Sequence, residues 1–423
     1  MKTRFLFLSV VGLSCACAVG CGGGSSSSNN NSSSNSSSSN TIATSGPNVA
    51  AIAVNGGPPG INYVDAAFIS VTVCTPGTMT CQTIPNILVD TGSVGLRILS
   101  SQLTVSLTQQ KASDGNPVAE CLQFLDSYTW GPVQTADVQI SGETGSSVPI
   151  QVLSDTDFTA PSSCYGPSGN AGSADTLDAL GAYGILGVGS YAQDCGGGCV
   201  QADNQVGTSP PAVYYECPAS GCVTAWENLA QQVANPVSFF GTDNNGVIVE
   251  LPSVAADGQA SATGALVFGI GTQSNNALGS ATVYSIDFTT GNFTTTFNST
   301  VYTDESFLDT GSNGYYFQDS SIPPCSDNPD FYCPTIPVNL TATNQGTAYQ
   351  GTGTGSGTVD FTIGNADTLS GNALSELGGT IITSGSAPPN YFDWGLPFFF
   401  GRNVFVSIYG ATAPGGTTPY WAY

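Results

Sequence analysis

Two short stretches of this chain carry the same residues in the same order. Ile87-Leu88-Val89-Asp90-Thr91-Gly92-Ser93 returns about half the chain later as Phe307-Leu308-Asp309-Thr310-Gly311-Ser312. Asp-Thr occurs five times, beginning at Asp90, Asp155, Asp175, Asp309 and Asp367, yet only the first and fourth continue as Gly-Ser after an apolar pair. Two carboxyl groups brought close together cannot both ionise cheaply, so they share a proton and titrate as a pair. The ionised member can then take a proton from water while the protonated one donates to a carbonyl oxygen. Gly92 and Gly311 permit tight backbone beside each carboxyl, and the Ser93 and Ser312 hydroxyls can donate to it. The chain has no histidine. That excludes Ser-His-Asp and Cys-His catalysis and any histidine-ligated metal.

Elements able to position such a pair are visible on both sides of each motif. Phe68 to Val73 alternates, with Ile69, Val71 and Val73 on one face, which predicts a strand before Asp90. Before Asp309, Tyr284, Ile286 and Phe288 alternate with Ser285 and Asp287, and a Gly291-Asn292 turn leads into a strand over Phe293–Phe297. Each Asp-Thr-Gly therefore stands where a strand ends and the chain must turn. Downstream, Gly184-Ile185-Leu186-Gly187 follows the first motif and Phe398-Phe399-Phe400-Gly401 the second, at similar distances. Thr224 to Val233 reads as a short helix, with Thr224 and Glu227 in capping-box spacing and Pro236 beyond.

The duplicated motif and the apolar-Gly segments resemble those of pepsin-type aspartic peptidases, and the likeness covers most of residues 61–410. It implies an all-β fold with few short helices and two lobes, one Asp-Thr-Gly-Ser loop in each. Asp90 and Asp309 would be the catalytic pair. Thr91 and Thr310 would hydrogen-bond across the lobes, and Ser93 and Ser312 would hold the outer carboxylate oxygens. Gly264-Ala265-Leu266-Val267-Phe268-Gly269 resembles the strand that opens the second lobe, and a boundary falls near Pro236. A flap is expected over the site, with Phe124 to Gly131 the candidate and Tyr128 and Trp130 near its turn; the other reading makes both rings packing residues. The chain is also similar to an uncharacterised family of bacterial lipoproteins of similar length.

Two departures from the peptidase pattern stand out. Arg97 occupies a place where the family has a bulky aromatic, and Arg402 follows the second apolar-Gly segment where an acidic residue is common. The plainer role for both is to neutralise nearby carboxylates; the sharper one is to set the pair's pKa or shape the substrate pocket.

The ends and the composition give the setting. Lys2 and Arg4, the apolar run Phe5–Ala18 and Ala18-Val19-Gly20-Cys21 read as a lipoprotein signal over residues 1–20, with Cys21 lipidated. Residues 21–46, nearly all Gly, Ser and Asn after the cysteine, form a disordered linker. Residues 47–236 and 237–423 are the two expected lobes. Ten further cysteines, an even number, predict disulfides in an oxidising compartment. Cys74 with Cys81, Cys325 with Cys333 and Cys121 with Cys164 are the spaced candidates, while Cys195, Cys199, Cys217 and Cys222 can pair in several ways or hold zinc.

Five Lys and Arg face 29 Asp and Glu, a formal net charge of −24. Nucleic acid and anionic lipid headgroups are repelled by such a body, and the balance either suits acidic surroundings or serves solubility alone. The Asp- and Asn-rich stretches Thr242–Gly246 and Ser326–Asp330 lack the twelve-residue calcium loop pattern and read as turns. No metal or cofactor is expected. The expectation is thus a monomeric, exported bacterial lipoprotein of the outer membrane, touching the membrane through its lipid alone. It would cleave peptides or unfolded proteins. The rival readings are an inactive shell of the same fold that binds peptide or glycan between its lobes, and an acidic β-rich surface or adhesion lipoprotein whose two aspartates lie far apart.

Overall fold

Ile69, Val71 and Val73 form one face of a strand, Ala67–Cys74, and all three are buried while Ser70 between them is exposed. The same two-residue period builds nearly the whole molecule. The computed structural model describes residues 40–124, 127–154, 158–165, 172–201, 208–348, 351–381 and 390–423. Residues 1–20, Cys21 and the linker as far as residue 39 lie outside them. From Asn40 the chain is packed on the body: Asn40 Nδ2 donates to the Leu251 carbonyl at 2.9 Å and the Ala43 amide to Glu250 Oε2 at 2.6 Å.

The architecture is the all-β, two-lobed fold that the resemblance implies, with one Asp-Thr-Gly-Ser loop in each lobe. In the first lobe, Ala67–Cys74 and Cys81–Asp90 form an antiparallel hairpin, Cys74 opposite Cys81. After the Asp90–Ser93 loop the chain continues as Val94–Leu99. Gly184–Val188 lies parallel to Cys81–Asp90 and antiparallel to Val94–Leu99, so the loop is gripped from below. Gly187 stands opposite Asp90, where a Cβ would come within 2.6 Å of the Val94 amide nitrogen. Only glycine fits that approach.

The second lobe repeats the plan. Phe293–Phe297 turns at Asn298 and Ser299, both at positive φ, into Thr300–Asp309. Phe392–Gly395 runs parallel to Thr300–Asp309 and antiparallel to Tyr315–Tyr316. Gly395 lies opposite Asp309, with no room for a Cβ against the Gly314 carbonyl. The counterpart of Gly184–Gly187 is therefore Phe392-Asp393-Trp394-Gly395, not Phe398–Gly401 as the spacing predicts. Pro397 has no N–H to give to a ladder, and the strand stops before it; Leu396–Phe399 is a buried 3₁₀ turn.

A third layer joins the lobes. Val49–Val54, Ala262–Phe268, Gly246–Glu250, Asn403–Ser407, Tyr420–Ala422 and Val283–Ser285 pair antiparallel in that order. The Gly264–Gly269 segment thus belongs to a sheet shared by both halves. One α-helix is described, Leu177–Leu180, capped by Thr176 and ended by Gly181 in the left-handed region.

The helix expected over Thr224–Val233 does not form. Val223–Thr224 is a short strand against Tyr214–Glu216, and Leu229–Gln231 is a single 3₁₀ turn. The amides of Ala225 and Glu227 are committed to the carbonyls of Tyr214 and Cys199, and the Glu227 carboxylate accepts from Asn228 rather than reaching back to Thr224.

All ten cysteines of the body are paired, as Cys74–Cys81, Cys121–Cys164, Cys195–Cys199, Cys217–Cys222 and Cys325–Cys333. The four that could have held zinc are two local clamps.

Candidate active site

The two loops meet at the junction of the lobes. Thr91 and Thr310 bind each other reciprocally: the Thr91 amide donates to Thr310 Oγ1 at 3.1 Å, and the Thr310 amide to Thr91 Oγ1 at 3.0 Å. Each hydroxyl then donates across the junction, Thr91 to the Leu308 carbonyl at 2.9 Å and Thr310 to the Val89 carbonyl at 2.7 Å. Four hydrogen bonds with twofold symmetry fix one loop against the other.

That lock places the carboxyls. Asp90 Oδ1 accepts from the Gly92 amide at 2.8 Å and Oδ2 from the Ser93 hydroxyl at 2.5 Å. Asp309 Oδ1 accepts from the Gly311 amide and Oδ2 from the Ser312 hydroxyl, both at 2.7 Å. The two carboxyls lie side by side, each acting on the titration of the other. A Cβ on Gly311 would sit 2.8 Å from Asp90 Oδ1 and 3.0 Å from Asp309 Oδ1, so this glycine keeps the space between the pair free.

Both carboxyls are fully buried. Burial raises both pKa values, the charged form losing its water. For Asp90 the hydrogen bonds from Ser93 and Gly92 and the neighbouring Asp309 carboxyl work against the rise, whereas for Asp309 the charges of Asp90 and Asp393 add to it. The two carboxyls share one proton and titrate as a pair.

Beside the pair, a cleft runs past Thr91, Gly92 and Leu308 and is walled by Ser190, Tyr191 and Asn292. Ser190 Oγ, Tyr191 OH and Asn292 Oδ1 are buried there without a hydrogen-bond partner among the described residues.

The other predicted residues fall in two groups. Tyr128 and Trp130 lie on the strand Ser127–Ile140, paired with Val118–Gln123, and both are buried. The Trp130 ring meets Tyr215 edge-on at 5.1 Å and its indole N–H donates to the Phe158 carbonyl at 3.0 Å; Tyr128 packs on Tyr165. These contacts are those of the packing alternative.

Arg97 is wholly buried and donates to Glu120 Oε1 at 2.7 Å and Asp194 Oδ2 at 2.9 Å, with its charge also acting on Asp90. The two ion pairs are those of the plainer role. Arg402 differs. Its guanidinium donates to the Phe398 carbonyl and lies 4.4 Å from the centre of that ring.

Sequence reasoning missed Asp393. It occupies the place that Ile185 takes in the first lobe, is buried beside the strand that delivers Asp309, and its charge acts on Asp309. The one available signal was an acidic residue inside the apolar run Tyr391–Phe400, and choosing Gly401 over Gly395 hid it.

A family model described as "Protein of unknown function (DUF3443)" matches residues 44–423. No curated protein matches the sequence. Among solved structures the chain is similar to an aspartic proteinase from Irpex lacteus, at 15% identity over 88% of this chain and 96% of that one, with a TM-score of 0.48.

Proposed function

Since the chain belongs to the family described as protein of unknown function (DUF3443), we propose from its own geometry that it is an aspartic endopeptidase. The observation that carries this reading is the pair itself: two buried carboxyls side by side at the lobe junction, with both oxygens of each held by a loop amide and a serine. Ionised Asp90 takes a proton from water as its oxygen attacks a peptide carbonyl, and Asp309 gives its proton to the carbonyl oxygen. The tetrahedral adduct then collapses: the C–N bond breaks, the proton on Asp90 passes to the leaving amine, and one hydroxyl proton of the adduct returns to Asp309. The unpartnered oxygens of Ser190, Tyr191 and Asn292 offer hydrogen bonds to a peptide in the neighbouring cleft.

We further propose an exported bacterial lipoprotein anchored through Cys21 in the outer membrane, monomeric, with lobes at 47–236 and 237–423. Five disulfides support an oxidising compartment.

The test is digestion of an unfolded protein at about pH 3.5, 5 and 7 by the purified protein and by its Asp90→Asn and Asp309→Asn variants. Removing either member of an acid–base pair is expected to lower the rate by about 10³-fold or more. Equal cleavage by the folded variants would reject the assignment.

One observation favours a second reading. With both carboxyls closed to solvent, a peptide reaches them only if the covering structure parts. A shell that stays shut would bind peptide or glycan in the cleft without turnover, and silence from the folded parent at every pH would identify it. The adhesion reading required the two aspartates to lie far apart, whereas a single Cβ placed on Gly311 would crowd both carboxyls.

A further inference from the structure

Arg97 reaches two carboxyls with one nitrogen. Its Nη2 donates to Glu120 Oε1 at 2.7 Å and to Asp194 Oδ2 at 2.9 Å, and all three side chains are fully buried. The two carboxyls therefore stand no farther apart than two hydrogen bonds laid end to end. They come from separate elements. Glu120 lies on Val118–Gln123, and Asp194 is the third residue past Tyr191, which walls the cleft. Arg97 Nη1 donates to the Val94 carbonyl at 2.6 Å, one residue past the Ser93 that holds Asp90. One guanidinium thus fastens the exit of the Asp90 loop, the hairpin and the cleft wall together.

One positive charge cannot neutralise two negative ones. With both carboxyls ionised, the cluster would carry an uncompensated charge where no water reaches it, and that drives a buried group to its neutral form. The hydrogen bonds identify which carboxyl takes the proton. Asp194 accepts on both oxygens, from Arg97 on Oδ2 and from the Tyr214 hydroxyl on Oδ1 at 2.6 Å. Glu120 accepts on Oε1 alone, and its Oε2 is buried without a hydrogen-bond partner among the described residues. We infer that Glu120 holds a proton in the folded protein and is a latch set by pH. Neutral, it leaves Arg97 to balance Asp194 and the three elements stay fastened. Ionised, it competes with Asp194 for the same guanidinium, and the fastening loosens.

The groups around Glu120 agree with this. Arg97 faces it from Val94–Leu99, Asp194 from the segment after Gly184–Val188, and Tyr214 as its register partner on Tyr214–Glu216. The Tyr214 hydroxyl accepts from the Val233 amide at 2.8 Å while its one hydrogen goes to Asp194. On the other strand of the hairpin the partner is Gly131, which has no side chain. From Glu143–Leu153, Gln151 Nε2 donates at 2.8 Å to the backbone carbonyl of Glu120 and leaves the carboxyl alone. Burial raises the Glu120 pKa well above the usual carboxyl value; the charge of Arg97 lowers it and that of Asp194 raises it again. A carboxyl raised in this way stabilises fully below its unfolded pKa and loses that contribution as pH rises through the folded value. The latch is therefore closed in acid.

The test needs no turnover, so it stands whether or not the protein is a peptidase. Urea unfolding of the intact protein is compared with Glu120→Gln, a neutral side chain of the same shape, at about pH 4.5 and 7.5. Each unit by which the fold raises this pKa is worth a factor of about ten in the unfolding equilibrium. The parent's unfolding constant relative to the variant's should therefore rise by about tenfold or more between the two pH values. An unchanged ratio would make Glu120 a packing residue, and a falling one would mean that the fold holds it ionised; either overturns the latch. If Glu120→Gln folds poorly, Asp194→Asn leaves Arg97 and Glu120 as a matched pair, and the same ratio should rise in the same way. Hydrogen exchange, corrected for the pH dependence of the intrinsic rate, reads the loosening directly. Protection over Val118–Gln123 should fall further in the parent than in the variant across this interval, and equal falls would also overturn the latch.

Discussion

At the scale of single residues, the lock between Thr91 and Thr310 makes two distant loops one site. Each hydroxyl accepts from the opposing amide and donates to an opposing carbonyl. Thr91→Val conserves shape but strips the Thr310 amide of its buried partner, which costs about 1–3 kcal/mol for one unsatisfied group. The same holds for Thr310→Val at the Thr91 amide. Urea unfolding should show each single variant destabilised by about 2 kcal/mol. The double variant should lose less than the sum, because the two bonds form one interlocked unit. Strict additivity would mean that the hydroxyls act independently, contrary to the geometry. Both threonines and both serines were legible from the repeated tetrapeptide, since their types dictate what they can bond. Asp393 was not. Its place beside the strand that delivers Asp309 depends on which segment pairs there, and that pairing is a long-range choice that no local pattern encodes.

At the scale of elements, the alternation of Ile69, Val71 and Val73 and the strand over Phe293–Phe297 were readable because a sheet with one buried face imposes a period of two. The segment Thr224–Val233 misled for the opposite reason. Its helix signal was local, whereas its amides are claimed by Tyr214 and Cys199 from other parts of the chain. Arg97 shows what holds such elements together. From the strand Val94–Leu99 it reaches Glu120 on the neighbouring hairpin and Asp194 after Gly184–Val188, and Tyr214 bonds the same Asp194 at 2.6 Å. Removing one partner of a buried ionic group leaves the others desolvated and uncompensated, so Arg97→Leu should destabilise by about 3–5 kcal/mol. Its charge also favours ionised Asp90, so the acid limb of any pH–rate profile should rise in the variant. A folded variant with unchanged stability and an unchanged acid limb would remove Arg97 from both roles.

At the scale of the whole molecule, the acidic composition and the buried carboxyls push stability the same way by different physics. Burial raises the pKa values of Asp65, Asp90, Glu120, Asp309 and Asp393, and takes Asp175 and Asp304 to about 6. A carboxyl whose folded pKa exceeds its unfolded value binds more protons in the native state, so its stabilising contribution is complete below the unfolded pKa, near 4. That contribution is lost as pH rises through the folded value. For Asp175 and Asp304 the window is therefore about pH 4 to 6. Surface repulsion among the exposed acidic residues grows over the same range, but salt screens it, whereas salt hardly reaches the buried groups. The thermal midpoint should accordingly be highest near pH 4–5 and fall steadily towards pH 8. Added salt at pH 7 should recover only the part due to surface repulsion and should do little at pH 4.5. A midpoint that rises with pH would contradict the protonation of the buried carboxyls. Full recovery by salt would assign the whole effect to the surface. Partial recovery would mean that the fold itself favours the acidic conditions in which a pair sharing one proton is ready to act.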